Sequence, residues 1–119
     1  MKRLFSEDDC QAAQIRYLTG RRDTKRDLMF CAIPNAAKRG YKLAAVLKAT
    51  GLVAGAPDLV IWLKGRVLHI ENKVKPNKTT ASQDWFAERL KALGHEYRVI
   101  TAETPGDAVD KLIAIMEAT

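Results

Sequence analysis

The stretch "DLVIWLKGRVLHIENKV", residues 58–74, decides the fold of this chain. Two runs rich in β-branched and aromatic residues flank the short segment "KGR", a pattern that predicts a β-hairpin. Because side chains alternate along a strand, Glu71 and Lys73 are expected on one face of the second strand. An acid and a base at the end of an apolar strand form either a surface salt bridge or part of a metal-dependent active site.

The length of the hairpin turn determines which residues oppose each other. A two-residue turn places Asp58 opposite Glu71, and a three-residue turn places it opposite Asn72. In both registers the Asp58 and Glu71 carboxylates are neighbours, and they repel each other unless a cation lies between them. Two carboxylates, the backbone carbonyl of Asn72 and water suit Mg²⁺. Lys73 beside a metal-bound water would orient it and neutralise charge on a phosphate, which predicts metal-assisted phosphodiester hydrolysis.

Six further segments surround the hairpin. Helices are predicted for "SEDDCQAAQIRYLTG", ending at Gly20, for "YKLAAVLKATG", for "TTASQDWFAERLKALG", with an apolar stripe of Phe86, Leu90 and Leu93, and for "TPGDAVDKLIAIMEA". Strands are predicted for "LMFCAIP" and "EYRVIT". The order helix, strand, helix, strand, strand, helix, strand, helix favours an α/β sandwich around one mixed sheet. A helix joins "VLHIENKV" to "EYRVIT", so these two strands are expected to be parallel.

Length and composition indicate one globular domain spanning residues 1–119. Hydrophobic residues make up 47% of the chain and charged residues 29%, as in ordinary globular proteins. No apolar run approaches the ~20 residues of a transmembrane helix, and the N-terminus does not look like a signal peptide, so an intracellular protein without a membrane partner is expected. Cys10 and Cys31 have no metal-ligand spacing and are predicted to be buried thiols in a reducing compartment.

The charge balance favours an anionic partner. The net charge is +6 and the pI about 9.5, and nucleic acid is the commonest partner of such proteins. Basic residues cluster in "RRDTKR", "AAKRGYK" and "NKVKPNK", each of which is either a solvated loop or a DNA contact. The candidate DNA-binding residues are Lys38, Arg39, Tyr41, Lys42, Lys75 and Lys78, with Tyr41 expected in a basic loop.

Three motifs together resemble a known nuclease superfamily. "GAPDL" (residues 55–59), "IENK" (70–73) and "SQDWFAERLKALG" (82–94) are similar to the motifs of the PD-(D/E)XK superfamily and, more narrowly, of its virus-type replication-repair nuclease (VRR-Nuc) domain. The resemblance covers nearly the whole chain. It implies a restriction-endonuclease-like α/β/α core, with a mixed central sheet flanked by helices.

The resemblance also implies roles for individual residues. Asp58 and Glu71 correspond to the metal ligands, together with the backbone carbonyl of Asn72, and Lys73 to the catalytic lysine. Gln83 would act in the site from the first turn of its helix, or serve only as the capping partner of Thr80. Glu7 corresponds to an acidic residue that completes the metal shell through water, or it only complements the helix dipole. Asn72 departs from the family, whose residue at this position is usually apolar, which suggests a less buried face.

The function implied by the resemblance is that of a Mg²⁺-dependent DNA endonuclease, with Mn²⁺ able to substitute. Free-standing family members of this size resemble viral or phage enzymes acting on branched DNA, so a homodimer that cuts Holliday junctions or flaps in replication, recombination or repair is expected. Two alternatives stay open: a non-catalytic DNA-binding module on the same fold, and a restriction-type endonuclease.

Overall fold

The computed structural model describes residues 5–34 and 41–118. Along the chain its elements are α1 (Glu7–Thr24), β1 (Leu28–Ala32), α2 (Tyr41–Ala49), β2 (Leu59–Leu63), β3 (Arg66–Val74), α3 (Ala81–Ala92), β4 (Glu96–Ala102) and α4 (Pro105–Glu117). The predicted order of helices and strands is confirmed.

The predicted end of α1 at Gly20 was wrong, because the helix continues for one more turn. The Thr24 hydroxyl donates to the Gly20 carbonyl at 2.8 Å, and the Lys25 N–H donates to the Arg21 carbonyl at 2.9 Å. Arg21 and Arg22 lie in this last turn, where positive charge is favourable at the negative end of the helix dipole. These interactions outweigh the modest cost of a glycine inside a helix.

The sheet has the strand order β1-β2-β3-β4, in which β1–β2 and β2–β3 are antiparallel and β3–β4 is parallel. Leu63 pairs with Arg66, so the hairpin has the two-residue turn. Gly65 in this turn has φ 68°, a conformation that glycine adopts without steric cost. The last β2–β3 pair is Leu59 with Ile70, and the next step of that register places Asp58 opposite Glu71.

Helices cover both faces of the sheet. Helices α1 and α4 pack on each other and on one face, where they bury the largest apolar side chains of the core: Leu18, Leu59, Ile61, Leu68, Ile70, Ile100 and Leu112. Helix α3 lies against β4 on the opposite face. The predicted α/β/α architecture with a mixed central sheet is therefore confirmed.

Two residues that were predicted to be packed in apolar surroundings, Leu93 and Cys31, are exposed. Leu93 is exposed, because it follows the last residue of α3 and so leaves the helical periodicity. Ala87 is the buried residue of that helix. Cys31 is exposed, whereas Cys10 is buried as predicted. Cys31 lies in an edge strand of the described sheet.

A buried amide pair joins α1 to β3. Gln14 Nε2 donates to Asn72 Oδ1 at 2.9 Å, and Asn72 Nδ2 donates to Gln14 Oε1 at 2.7 Å. Gln14 Nε2 also donates to the Ala108 carbonyl at the start of α4, at 3.2 Å. Asn72 is only 2% exposed, so the expectation of a less buried face was wrong. A polar residue is tolerated here because Gln14 satisfies its amide.

Arg66 fixes the turn end of the hairpin to the end of α4. Its guanidinium forms a two-pronged ion pair with Glu96, with N···O distances of 2.9 and 2.8 Å. It also donates to the carbonyls of Ile115, Met116 and Ala118. The last carbonyls of a helix have no partner within the helix, and Arg66 supplies one.

Among the helices that the structure describes, none combines the length and apolar character needed to cross a lipid bilayer.

Disrupting the amide pair tests its contribution to stability. Gln14→Leu or Asn72→Leu alone leaves one buried amide unpaired, so each is expected to lower the free energy of unfolding by about 1–3 kcal/mol. The double variant removes both polar groups and is expected to lose much less than the sum of the two. Urea unfolding of all four proteins measures this coupling. Gln11→Leu, one turn earlier on α1, serves as the control, and additive losses in the double variant would contradict the predicted coupling.

Candidate active site

A close contact between a loop and a helix brings the site residues together. Gly55 has φ 87°, which favours glycine. A Cβ at this position would overlap the carbonyl of Ser82 and lie 2.8 Å from the Gln83 nitrogen. The absence of a side chain therefore lets the loop that carries Asp58 rest directly on the first turn of α3, beside Gln83.

Asp58 is anchored where β2 begins. Its side-chain Oδ2 accepts a hydrogen bond from the Asn72 backbone N–H at 2.8 Å. Its carbonyl accepts one from the Ile33 N–H at 2.9 Å, on the β1 side. The carboxylate thus satisfies a main-chain donor of β3 beyond the last pair of the β2–β3 ladder, which holds it next to Glu71.

Glu71 is a buried acid, only 2% exposed. Its Oε2 accepts a hydrogen bond from Gln83 Nε2 at 3.3 Å, whereas Oε1 has no hydrogen-bond partner among the described residues. Burial raises the pKa of Glu71 to about 9, aided by the adjacent Asp58 carboxylate, while the Lys73 charge acts in the opposite direction. The site disfavours a second negative charge unless a cation compensates it.

Gln83 makes two contacts, one that caps its helix and one to Glu71. Its Oε1 accepts from the Thr80 backbone N–H at 2.9 Å, and its own N–H donates to the Thr80 hydroxyl at 3.3 Å, which forms a capping box. The other side-chain atom, Nε2, reaches Glu71. The cap therefore fixes the side chain in the orientation that contacts the acid.

Lys73 lies on the Glu71 side of β3 and is only 8% exposed. It borders a groove of about 610 Å³ lined by Lys73, Lys75, Pro76, Asn77, Lys78, Thr79, Val99 and Thr101. Lys75 and Lys78 are exposed, and Lys75 forms an exposed ion pair with Glu103 at 3.2 Å. Such pairs are weak, so both ammonium groups are accessible to an anion in the groove.

Glu7 lies near the site without joining its centre. Its Oε2 accepts a hydrogen bond from Asn77 Nδ2 at 3.3 Å, and its charge is the smallest of the contributions that raise the pKa of Glu71. Within residues 5–34 and 41–118, no three His, Cys, Asp or Glu side chains converge in a way that could hold a metal ion. Asp58 and Glu71 are thus the paired side chains that could hold a cation directly, with water as the other ligands.

The structure places only part of the predicted DNA-binding set. Lys38 and Arg39 lie outside the described residues, as does the side chain of Tyr41. Tyr41 itself is the first residue of α2, which confirms the helix predicted for "YKLAAVLKATG" and not the position of Tyr41 in a basic loop. Lys42 is exposed on the first turn of the same helix.

Two residues that the sequence reasoning missed also bear on the site. Gln14 hydrogen-bonds Asn72 on the side of the sheet opposite Glu71. Gln14 follows Glu7 by seven residues, so the two lie on one face of α1. Tyr97 is buried in β4, and its hydroxyl has no hydrogen-bond partner in the described part of the chain. The parallel register pairs it with His69, two residues before Glu71, so knowing the register would have placed it on the Glu71 face.

Comparison with known proteins supports the fold. No protein-family model matches the chain, and no curated protein matches it either. A solved structure described as a VRR_NUC domain protein is similar over 95% of this chain and 86% of its own, with a TM-score of 0.66 and 21% sequence identity. The chain therefore has a VRR-Nuc-like fold.

The pKa of Glu71 predicts how stability depends on pH. Between the ordinary value of 4.5 and about 9, the folded protein retains a proton that the unfolded chain has released, so stability falls as pH rises through this range. Without divalent cations, Glu71→Gln is expected to raise the free energy of unfolding at pH 8 by about 1–3 kcal/mol. The difference should vanish near pH 4, below both pKa values.

Urea unfolding from pH 4 to 9 measures this effect. Glu88→Gln, at an exposed position of α3, removes a carboxyl group that faces solvent and should show no comparable gain. Parallel pH profiles for wild type and Glu71→Gln would contradict the predicted pKa.

Proposed function

We propose that this protein is a Mg²⁺-dependent DNA endonuclease, with Mn²⁺ able to substitute, that hydrolyses phosphodiester bonds in branched DNA. The observation that carries the proposal is the Glu71 carboxyl group, which is buried next to Asp58 and whose Oε1 has no hydrogen-bond partner within residues 5–34 and 41–118. A buried unpartnered oxygen beside a second carboxylate fits a hard cation that takes few protein ligands and retains several waters. The likeness to a VRR_NUC domain protein supports the nuclease assignment.

Asp58, Glu71 and the backbone carbonyl of Asn72 would hold the ion, with Glu7 reaching it through water. When bound, Mg²⁺ supplies a Lewis acid for the phosphate and lowers the pKa of a coordinated water. Gln83 Nε2 donates a hydrogen bond to Glu71 Oε2 and so keeps the Glu71 carboxylate in place. Lys73 lies beside the attacked phosphate and stabilises the charge that develops there.

The reaction is a hydrolysis at phosphorus. The oxygen of the attacking water forms a new P–O bond, and the P–O bond to one nucleoside oxygen breaks. The water loses a proton to bulk solvent, and the departing oxygen gains one. Lys73 orients the attacking water and places its side-chain nitrogen beside the phosphate.

The groove beside Lys73 offers a path for the DNA backbone. Lys75 and Lys78 follow the catalytic strand directly and line the same groove, so their ammonium groups would contact phosphates next to the one that is cut. Such contacts position DNA without reading its sequence. Lys38, Arg39, Tyr41 and Lys42 would extend this surface.

We further propose an intracellular homodimer that acts in viral or phage replication, recombination or repair. Two copies of a 119-residue chain would present two active sites to the two strands that are cut at a Holliday junction or flap.

Cleavage of a panel of substrates tests the function. Labelled duplex, flap, splayed-arm and four-way DNA are incubated with the protein in Mg²⁺, Mn²⁺ or chelator. Wild type is expected to cut branched substrates only with metal. Glu71→Ala should lose at least ~10²-fold in rate while retaining DNA affinity, because it removes a negative charge. Cleavage by Glu71→Ala at the wild-type rate would exclude the assigned site, and binding by wild type without any cleavage would favour a DNA-binding module.

Salt-dependent binding tests the groove. Replacing Lys75 and Lys78 with Ala should weaken DNA binding in chelator. It should also reduce the slope of log K against log [salt] by about 0.9 for each lost phosphate contact. Lys64→Ala with Lys91→Ala is the matched control, because it removes the same charge from exposed positions outside the three basic clusters. If both double variants reduce the slope equally, the groove has no particular role in DNA binding.

A further inference from the structure

Tyr97 has a buried hydroxyl group that the fold does not explain. The residue is only 6% exposed, and its hydroxyl makes no hydrogen bond to any described residue. Leaving a buried hydroxyl unpaired costs about 1–3 kcal/mol. Phenylalanine would fill the same space without that cost, so the hydroxyl calls for a partner other than the residues that the structure describes.

The position of Tyr97 in β4 directs its side chain to the site. In the parallel β3–β4 register Tyr97 pairs with His69 and Val99 with Glu71. Paired residues in a sheet project from the same face, and alternate residues share it, so Tyr97 lies on the Glu71 side. Helix α3 closes over it, with Lys91 Nζ 5.9 Å from the centre of its ring.

The charges around the hydroxyl are those of the candidate active site. Burial raises the pKa of Tyr97, and the negative charges that add to this effect belong to Glu71, Asp58 and Asp84. The hydroxyl therefore lies within electrostatic reach of both carboxylates of the site. A neutral O–H donor is well suited to such surroundings, because it stabilises negative charge.

Two buried atoms that no described residue hydrogen-bonds thus lie on the same side of adjacent strands: a donor, the Tyr97 hydroxyl, and an acceptor, Glu71 Oε1. They do not bond directly. A buried water in a polar site bridges such groups when each offers it a bond. Water can accept from the hydroxyl and donate to the carboxyl oxygen at once.

We propose that Tyr97 is a positioning residue for Glu71, acting through one water molecule that accepts from its hydroxyl and donates to Glu71 Oε1. Gln83 holds Oε2 directly, so the carboxyl group is held at both oxygens and its rotation is restricted. Where this inference concerns metal binding it rests on the proposed function. A fixed carboxylate binds a cation better than a rotating one, because less freedom is lost on binding.

Tyr97→Phe tests the proposal, because it removes only the hydroxyl. In the metal-free protein, the infrared band of the Glu71 carboxyl group, identified by its loss in Glu71→Gln, is expected to shift when the hydrogen bond is lost. Calorimetry should show Mn²⁺ affinity reduced by about 10-fold, as is typical when a partner of a metal ligand is removed. On branched DNA, kcat of Tyr97→Phe is expected to fall by the same factor, with KM unchanged. Its melting temperature should equal or exceed that of the wild type.

Tyr17→Phe is the matched control. The Tyr17 hydroxyl accepts from Arg21 at 3.1 Å on α1, so this variant loses a tyrosine hydroxyl elsewhere and should change neither the Glu71 band nor Mn²⁺ affinity. A Tyr97→Phe protein with an unchanged band and unchanged affinity would overturn the proposal, as would one that only melts at a lower temperature. If the Glu71 band shifts in Tyr97→Phe but the wild-type protein cuts no DNA, the positioning role of Tyr97 is supported and the nuclease function is rejected.

Discussion

The constraint on which the rest of this structure depends is the burial of Glu71 beside Asp58. Two carboxylates side by side repel each other, and burial disfavours the charged form of Glu71. Two hydrogen-bond donors stabilise them: the Asn72 N–H donates to Asp58, and Gln83 donates to Glu71. Each donor comes from a different element, so the site exists only when the hairpin and α3 are assembled together. Gly55 makes that assembly sterically possible.

Much of this arrangement is predictable from sequence because local rules govern it. A two-residue turn determines the register of an antiparallel pair, so Asp58 opposite Glu71 is one of the two registers that the turn sequence allows. The helix between β3 and β4 provides the crossover connection that a parallel pair needs. The capping-box spacing of Thr80 and Gln83 determines where α3 begins, which in turn places the glutamine over the acid.

The wrong or missed predictions concern residues whose burial or position depends on distant segments of the chain or on where a helix ends. Asn72 appeared to mark an exposed face, but Gln14 lies 58 residues earlier and no local rule pairs the two. Leu93 fits an apolar stripe by spacing, yet the helix ends before it. Tyr97 could not be assigned to the site because its role depends on the parallel register. The identity of phosphate-contacting residues is harder still, because charged loop residues have no periodicity from which a direction can be read.

Arg66 gives the sheet two unequal ends. At the hairpin turn its guanidinium joins β3, β4 and the last carbonyls of α4 into one hydrogen-bonded unit. At the opposite end, the bond from the Asn72 N–H to the Asp58 carboxylate follows the last pair of the β2–β3 ladder, and the bond from Gln83 to Glu71 joins α3 to β3. Amide protons near the turn should therefore exchange with solvent only through extensive unfolding, whereas those beside Asp58 should exchange through small local openings. The same asymmetry would let a ligand enter and leave at one end while the other keeps the strands in register.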